Sequence, residues 1–179
     1  MNDRRRLATV PRVVVMGVTG AGKTTIGSLL ADALHVPFVD GDQFHDESSI
    51  AKMRDGVPLT DHDRAGWLAR LHEVLRTHPR GIVLAASALT RASRDVLDAG
   101  LEPNRYILLR GDPDLIAQRI DRRAGHFAGV ELLASQFALL DPPPDAIVLD
   151  VDAPPATIVT RALAALAAGV SPPGSVGPR

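Results

Sequence analysis

The chain contains no cysteine, so neither a disulfide framework nor a thiolate metal site is available to it. Aromatic residues make up only 3% of its 179 residues, which leaves no platform on which nucleobases could stack. Charge of one sign is also lacking. The net charge is −1 and the basic residues are scattered, so no footprint for nucleic acid is present. Lysine is confined to Lys23 and Lys52, arginine supplying the rest of the positive charge. No apolar run approaches the length of a membrane span. The opening MNDRRRLATVPR carries Arg4 to Arg6 without the apolar segment of a secretory signal, so a soluble, cytoplasmic protein without membrane or nucleic-acid partners is expected.

What is present begins at Arg12. Val13 to Met16 form an apolar, β-branched run of the kind that a strand buried on both faces requires. Gly17-Val18-Thr19-Gly20-Ala21-Gly22 follows, then Lys23, Thr24 and Thr25, then a helical apolar pattern to Leu34. Gly17, Gly22, Lys23 and Thr24 satisfy G-x-x-x-x-G-K-[ST], the phosphate-binding loop. Glycine lets the backbone curl so that successive N–H groups point at phosphate oxygens, and the helix N-terminus adds its partial positive charge. Lys23 then reaches the β- and γ-phosphates, and the Thr24 hydroxyl is placed to ligate Mg²⁺. Binding of a nucleoside triphosphate, ATP, is expected.

The rest of the chain alternates strand and helix, which predicts a parallel sheet. Its length suits an α/β fold with a five-stranded parallel sheet, helices on both faces and a helical lid. A first helix is expected over about Gly22 to Leu34, then strands at His35 to Val39, Ile82 to Ala86, Tyr106 to Leu109 and Ile147 to Leu149. Further helices are expected over His45 to Met53, after a cap at Thr60 or Asp61, from Ser87 to Leu97, from Asp112 towards Arg123, and over Ala156 to Ala168. Residues 1–170 read as one domain, and the Pro/Gly-rich tail 171–179 as disordered.

Ligands of such sheets sit at the carboxyl ends of the strands. After the second strand come Asp40 and Asp42, separated by Gly41. Beside a phosphate loop, one carboxylate suits Mg²⁺ and the other can accept a proton from an acceptor hydroxyl. Alternatively, the pair caps the next helix. After the third strand comes Ala86-Ser87-Ala88.

Three stretches together resemble the gluconate kinase family. DGDQFHDESSIAKMRDGVPLTDHDRAGWL, from Asp40 to Leu68, is similar to its acceptor region. Ser87-Ala88-Leu89 with Arg94 resembles its S-A-L-K-x-x-Y-R segment, and RIDRRAGHFAGVELLASQF, from Arg119 to Phe137, resembles its lid. This chain departs from the family's pattern at Ser49, Gly66, Ala86, Thr90, Ser93 and Ala128. The family's fold is similar to those of shikimate kinase and adenylate kinase. The resemblance implies ATP- and Mg²⁺-dependent phosphorylation of a sugar acid, gluconate to 6-phosphogluconate, often by a dimer. Two other readings stay open: a kinase of this fold with another polyol acid or a cyclitol as acceptor, and a non-catalytic nucleotide-binding module.

Against that family pattern, Asp42 is the expected base or orienter of the acceptor hydroxyl, and Asp40 a contact to Mg²⁺ with Thr24. Lys52, Arg64 and Arg94 are cations for a sugar carboxylate or else surface residues. Asp61 and Asp63 either cap a helix and pair with Arg64 or touch substrate. His45, Ser87 and His126 are expected at the substrate. In the lid, expected over about 119–134, Arg119 and Arg123 match the family spacing. There they would close over the triphosphate; otherwise, with Arg122, they form a solvated helix face.

Overall fold

The structure, a computed structural model, describes residues 11–124 and 128–169, with side chains 123, 124 and 128–131 left out. The domain span 1–170 and the tail 171–179 therefore extend beyond the described residues.

Strand β1 (Arg12–Met16) is followed by helix α1 (Lys23–Leu34), β2 (Phe38–Asp40), a 3-10 turn (Gly41–Phe44), α2 (Glu47–Arg54) and α3 (Asp61–Thr77). Then come β3 (Ile82–Ala85), α4 (Arg91–Asp98), β4 (Arg105–Arg110), α5 (Pro113–Ala124), α6 (Ala128–Leu139), β5 (Ile147–Asp150) and α7 (Pro155–Ala168). All strands pair in parallel, in the order β2-β3-β1-β4-β5. Register aligns Val15 and Asp40 on either side of Ala85, and Met16 beside Leu108, so the carboxyl ends of four strands share one rim.

The β1 run is buried on both faces, as its apolar composition requires. Val13 and Val15 face a core built with Ile26 and Leu30 of α1, Ile116 of α5 and Ile158 of α7. Val14 and Met16 face the opposite core, with Trp67, Leu71 and Leu75 of α3 and Leu97 of α4. Each of the four β1 side chains is 0% exposed, so the strand that carries the phosphate loop is anchored from both sides of the sheet.

Two helices start later than their apolar patterns predict, because polar side chains set the ends. Asp46 accepts from Ser49 N at 2.8 Å and starts α2 at Glu47, while the residues before it form the 3-10 turn. Thr90 accepts from Ser93 N at 3.2 Å and starts α4 at Arg91. The residues Ser87 to Leu89 are consequently loop, with Ala88 left-handed at φ 42, a conformation unusual for a residue with a Cβ. Of the two caps expected for α3, Thr60 and Asp61, the structure uses Thr60, in a full capping box: Thr60 Oγ1 accepts from Asp63 N at 3.2 Å, and Asp63 Oδ2 accepts from Thr60 N at 2.9 Å.

Candidate active site

The phosphate loop leaves β1 at Gly17 and enters α1 at Lys23. Gly22 adopts φ 95 at the start of the helix, a backbone region that L side chains rarely occupy. Lys23 is partly buried and its Nζ donates to Val18 O at 3.0 Å. Loss of bulk water pushes its ammonium below the usual lysine range, and the carboxylates of Asp42 and then Asp40 oppose that shift.

Asp40 ends β2 and does two jobs there. Its Oδ2 accepts from Thr24 Oγ1 at 2.8 Å, and its Oδ1 accepts from Asp42 N at 3.1 Å, capping the 3-10 turn. The capping reading thus describes Asp40. Asp42 is held by that turn, and its carboxylate takes no hydrogen bond from any described residue. Gly41 between them is there for space, since a Cβ would stand 2.7 Å from Ala85 O. Trp67 Nε1 donates to Gly41 O at 2.7 Å, and its ring stacks on His45 with centroids 4.6 Å apart. Burial lowers the affinity of His45 for a proton, and its Nδ1 is buried without a hydrogen-bond partner among the described residues.

These residues enclose a cavity of about 110 Å³. Lys23 and Thr19 line it from the phosphate loop, Asp42 and His45 from the turn after β2, Arg64 and Trp67 from α3, Ser87 from the loop after β3, and Ser135 and Gln136 from α6. A second cavity, of about 280 Å³, is lined by Gly20, Ala21, Gly22, Thr25, Arg119 and Arg122, with Val151, Ala153, Pro155 and Ile158 closing it. Arg119 is tied down there, its Nη2 donating to Val151 O at 2.6 Å.

Of the residues expected at a substrate, Asp42, His45, Arg64 and Ser87 meet around the first cavity. Arg64 reaches it while its Nη1 donates to Asp61 at 3.1 Å. Lys52 and Arg94 do not line it. Lys52 is spent on Asp63 of the capping box, at 2.7 Å. Arg94 is only 5% exposed and donates to Ala88 O and Leu89 O, each at 3.2 Å, with Asp141 3.9 Å away. It braces the left-handed turn that presents Ser87. His126 lies outside the described residues, as does the side chain of Arg123. Gln136 was not singled out by its sequence; its oxygen accepts from Thr19 N at 2.6 Å, joining α6 to the phosphate loop. Only the S-Q-F of the lid pattern pointed to it.

The group Thr24–Asp40 offers hard oxygen donors at a phosphate loop. No cluster of three or more histidine, cysteine, aspartate or glutamate side chains suited to a metal exists among the described residues. A cation that keeps waters and phosphate oxygens in its shell fits such a donor set, whereas one needing a full protein cage does not.

Residues 19–130 match the family model described as Shikimate kinase. A probable gluconokinase of Mus musculus is 42% identical over 151 residues, which cover 73% of this chain and 82% of the mouse protein. The thermoresistant gluconokinase of Escherichia coli strain K12 is 37% identical, covering 87% and 93% of the two chains. The crystal structure of a gluconokinase from Sinorhizobium meliloti 1021 superposes with a TM-score of 0.83 at 38% identity, covering 90% of this chain and 94% of that one. With its all-parallel sheet, its phosphate loop and identities near 40%, the chain belongs to the gluconokinase family of P-loop kinases.

Proposed function

We propose that this protein is an ATP-dependent gluconokinase, transferring the γ-phosphoryl group of ATP to a hydroxyl of D-gluconate to give 6-phospho-D-gluconate and ADP. The observation that carries the reading is that Lys23 of the phosphate loop and Asp42, whose carboxylate takes no hydrogen bond from any described residue, face one small cavity that Arg64 also lines. Family membership supports the choice of a sugar acid.

In this reading the first cavity takes the acceptor, and the second, beside Gly22, Thr25 and Arg119, takes the nucleoside end of ATP. Asp42 accepts a hydrogen bond from the attacking hydroxyl and aligns its oxygen with the γ-phosphorus. As that P–O bond forms, the bond to the β–γ bridging oxygen breaks, and the hydroxyl proton passes to Asp42. Lys23 neutralises charge on the transferred group, which suits an ammonium short of water and bonded only to the Val18 carbonyl among the described residues. Thr24 and Asp40 would hold Mg²⁺, which would supply positive charge to offset that of the phosphates. His45, neutral and stacked on Trp67, offers a polar edge to the acceptor. Arg64 supplies the cation for the carboxylate.

The test is ADP release measured across a panel of sugar acids, with gluconate turned over best. Failure of gluconate to support ADP release overturns the assignment. Arg64→Ala should raise the gluconate KM roughly ten- to a hundredfold, the usual loss for a charge-assisted bond, and leave the ATP KM nearly unchanged. Equal changes in the two KM values would make Arg64 a structural partner of Asp61.

A further inference from the structure

A backbone N–H can only donate, so the bond from Thr19 N fixes which end of the Gln136 amide faces the phosphate loop: its oxygen, at 2.6 Å. The NH₂ group must then point away from Thr19. It has no hydrogen-bond partner among the described residues, and Gln136 lines the same cavity as Lys23, Asp42 and Arg64. The two partners are 117 residues apart in the chain, one in the phosphate loop and one in the last turn of α6.

We propose that Gln136 is a specificity-determining residue of the phosphotransfer site: anchored through its oxygen to Thr19 of the phosphate loop, it presents its NH₂ as a donor to an oxygen of the acceptor. The assignment rests on the reading of the chain as a sugar-acid kinase. Every polar group of a sugar acid, hydroxyl or carboxylate, accepts hydrogen bonds, so a free donor matches such an acceptor. A donor fixed to the phosphate loop gauges the acceptor against the loop that holds the γ-phosphate. Small errors in that distance are costly in phosphoryl transfer, where catalysis is mainly positioning. A donor that a bound acceptor shuts off from water and leaves unpaired also rejects analogues that lack the matching oxygen.

Gln136→Glu separates the anchor from the donor. A glutamate oxygen accepts from Thr19 N–H as the amide does, but the NH₂ is replaced by an anionic oxygen facing the acceptor's oxygens. Gluconate KM should rise roughly ten- to a hundredfold while ATP KM moves less than about threefold. Gln136→Leu removes both functions. In the free protein, hydrogen exchange at the Thr19 amide should be slow in wild type and Gln136→Glu, and faster in Gln136→Leu. A Gln136→Glu variant with wild-type gluconate KM overturns the donor, leaving only a strut. Unchanged Thr19 exchange in Gln136→Leu overturns the anchor. Should wild type release no ADP with gluconate, the sugar-acid reading fails by itself. The KM comparison then moves to whichever acceptor of the panel is turned over, and the exchange measurement, which needs no acceptor, still decides the anchor.

Discussion

Lys23 and Asp42 line the same cavity, yet they depend on their surroundings in opposite ways. The lysine has one carbonyl, Val18 O, and has lost much of its water, so its charge is held at a cost until phosphate arrives. Lys23→Ala should therefore lower kcat by orders of magnitude, because the charge that redistributes during transfer loses its main counter-ion. A near-wild-type kcat would remove Lys23 from the chemistry. Asp42 sits on a fixed backbone, and among the described residues none donates to its carboxylate. Asp42→Asn keeps shape and hydrogen-bonding capacity but cannot take the proton, so kcat should fall roughly 10²–10⁴-fold with ATP affinity barely changed. Since Asn serves a helix start as well as Asp does, a kcat within a few-fold of wild type would reduce Asp42 to a structural residue. Asp40 already fills the capping role.

At the scale of elements, α3 is the most consequential helix for the acceptor cavity. It delivers Arg64 from its first turn and Trp67 from its second, and the indole fixes the turn that carries Asp42 through Gly41 O. Its start is set by Thr60 and Asp63, and Lys52 of α2 closes on Asp63, so one capping box also ties two helices together. Thr60→Ala should cost about 0.5–2 kcal/mol of unfolding free energy, read as a lower urea midpoint with an unchanged slope. An unchanged midpoint would mean that packing of Leu68, Leu71 and Leu75 alone holds the helix. The loop after β3 shows a similar economy: Arg94, a buried cation, satisfies two carbonyls of a left-handed turn, and Leu89 O also accepts from Asp141 N at 2.9 Å, just beyond α6. The wall that presents Ser87 and the wall that presents Gln136 are thus fastened at neighbouring points.

For the whole molecule, the carboxylates dictate how stability answers to acid. The hydrogen bond from Lys52, followed by that from Thr60 N, holds the Asp63 carboxyl well below its ordinary value of 3.8. The Ser49 N–H also lowers the Asp46 carboxyl, and Arg110 lowers that of Asp150. Groups whose folded values are depressed stabilise the protein above their unfolded values, and that contribution disappears as pH falls through the folded ones. His45 adds a step of the same sign: its folded value lies below 6.5, so the unfolded chain takes the proton first and stability begins to decline there. The thermal midpoint should therefore slip below about pH 6.5 and drop more steeply below about pH 4. Asp63→Asn, which retains an acceptor for Thr60 N–H but loses the ion pair, should flatten the lower part of that curve. A curve that is level down to about pH 3 would contradict the assigned partners.

Much of this molecule follows from local sequence. The β1 run, the glycine spacing of the phosphate loop, Lys23 and Thr24 on the first turn of α1, and the Thr60 cap all act over a few residues, so their geometry is written in their order. The alternation of strand and helix likewise dictates a parallel sheet with its ligands at one rim. Tertiary structure decided which polar groups are free. Lys52 and Arg94 are cations of the acceptor-region motifs, but Asp63 captures one and the carbonyls of the Ala88 turn capture the other. Arg64, no more conspicuous as a residue, keeps a place at the cavity. The pairs Trp67 with Gly41 and Gln136 with Thr19 join positions 26 and 117 residues apart. No periodicity records such a partnership, because a hydrogen bond depends on where two atoms arrive after every intervening element has packed. Sequence order fixes which groups are offered; only the packed sheet and helices determine which of them remain available to a ligand.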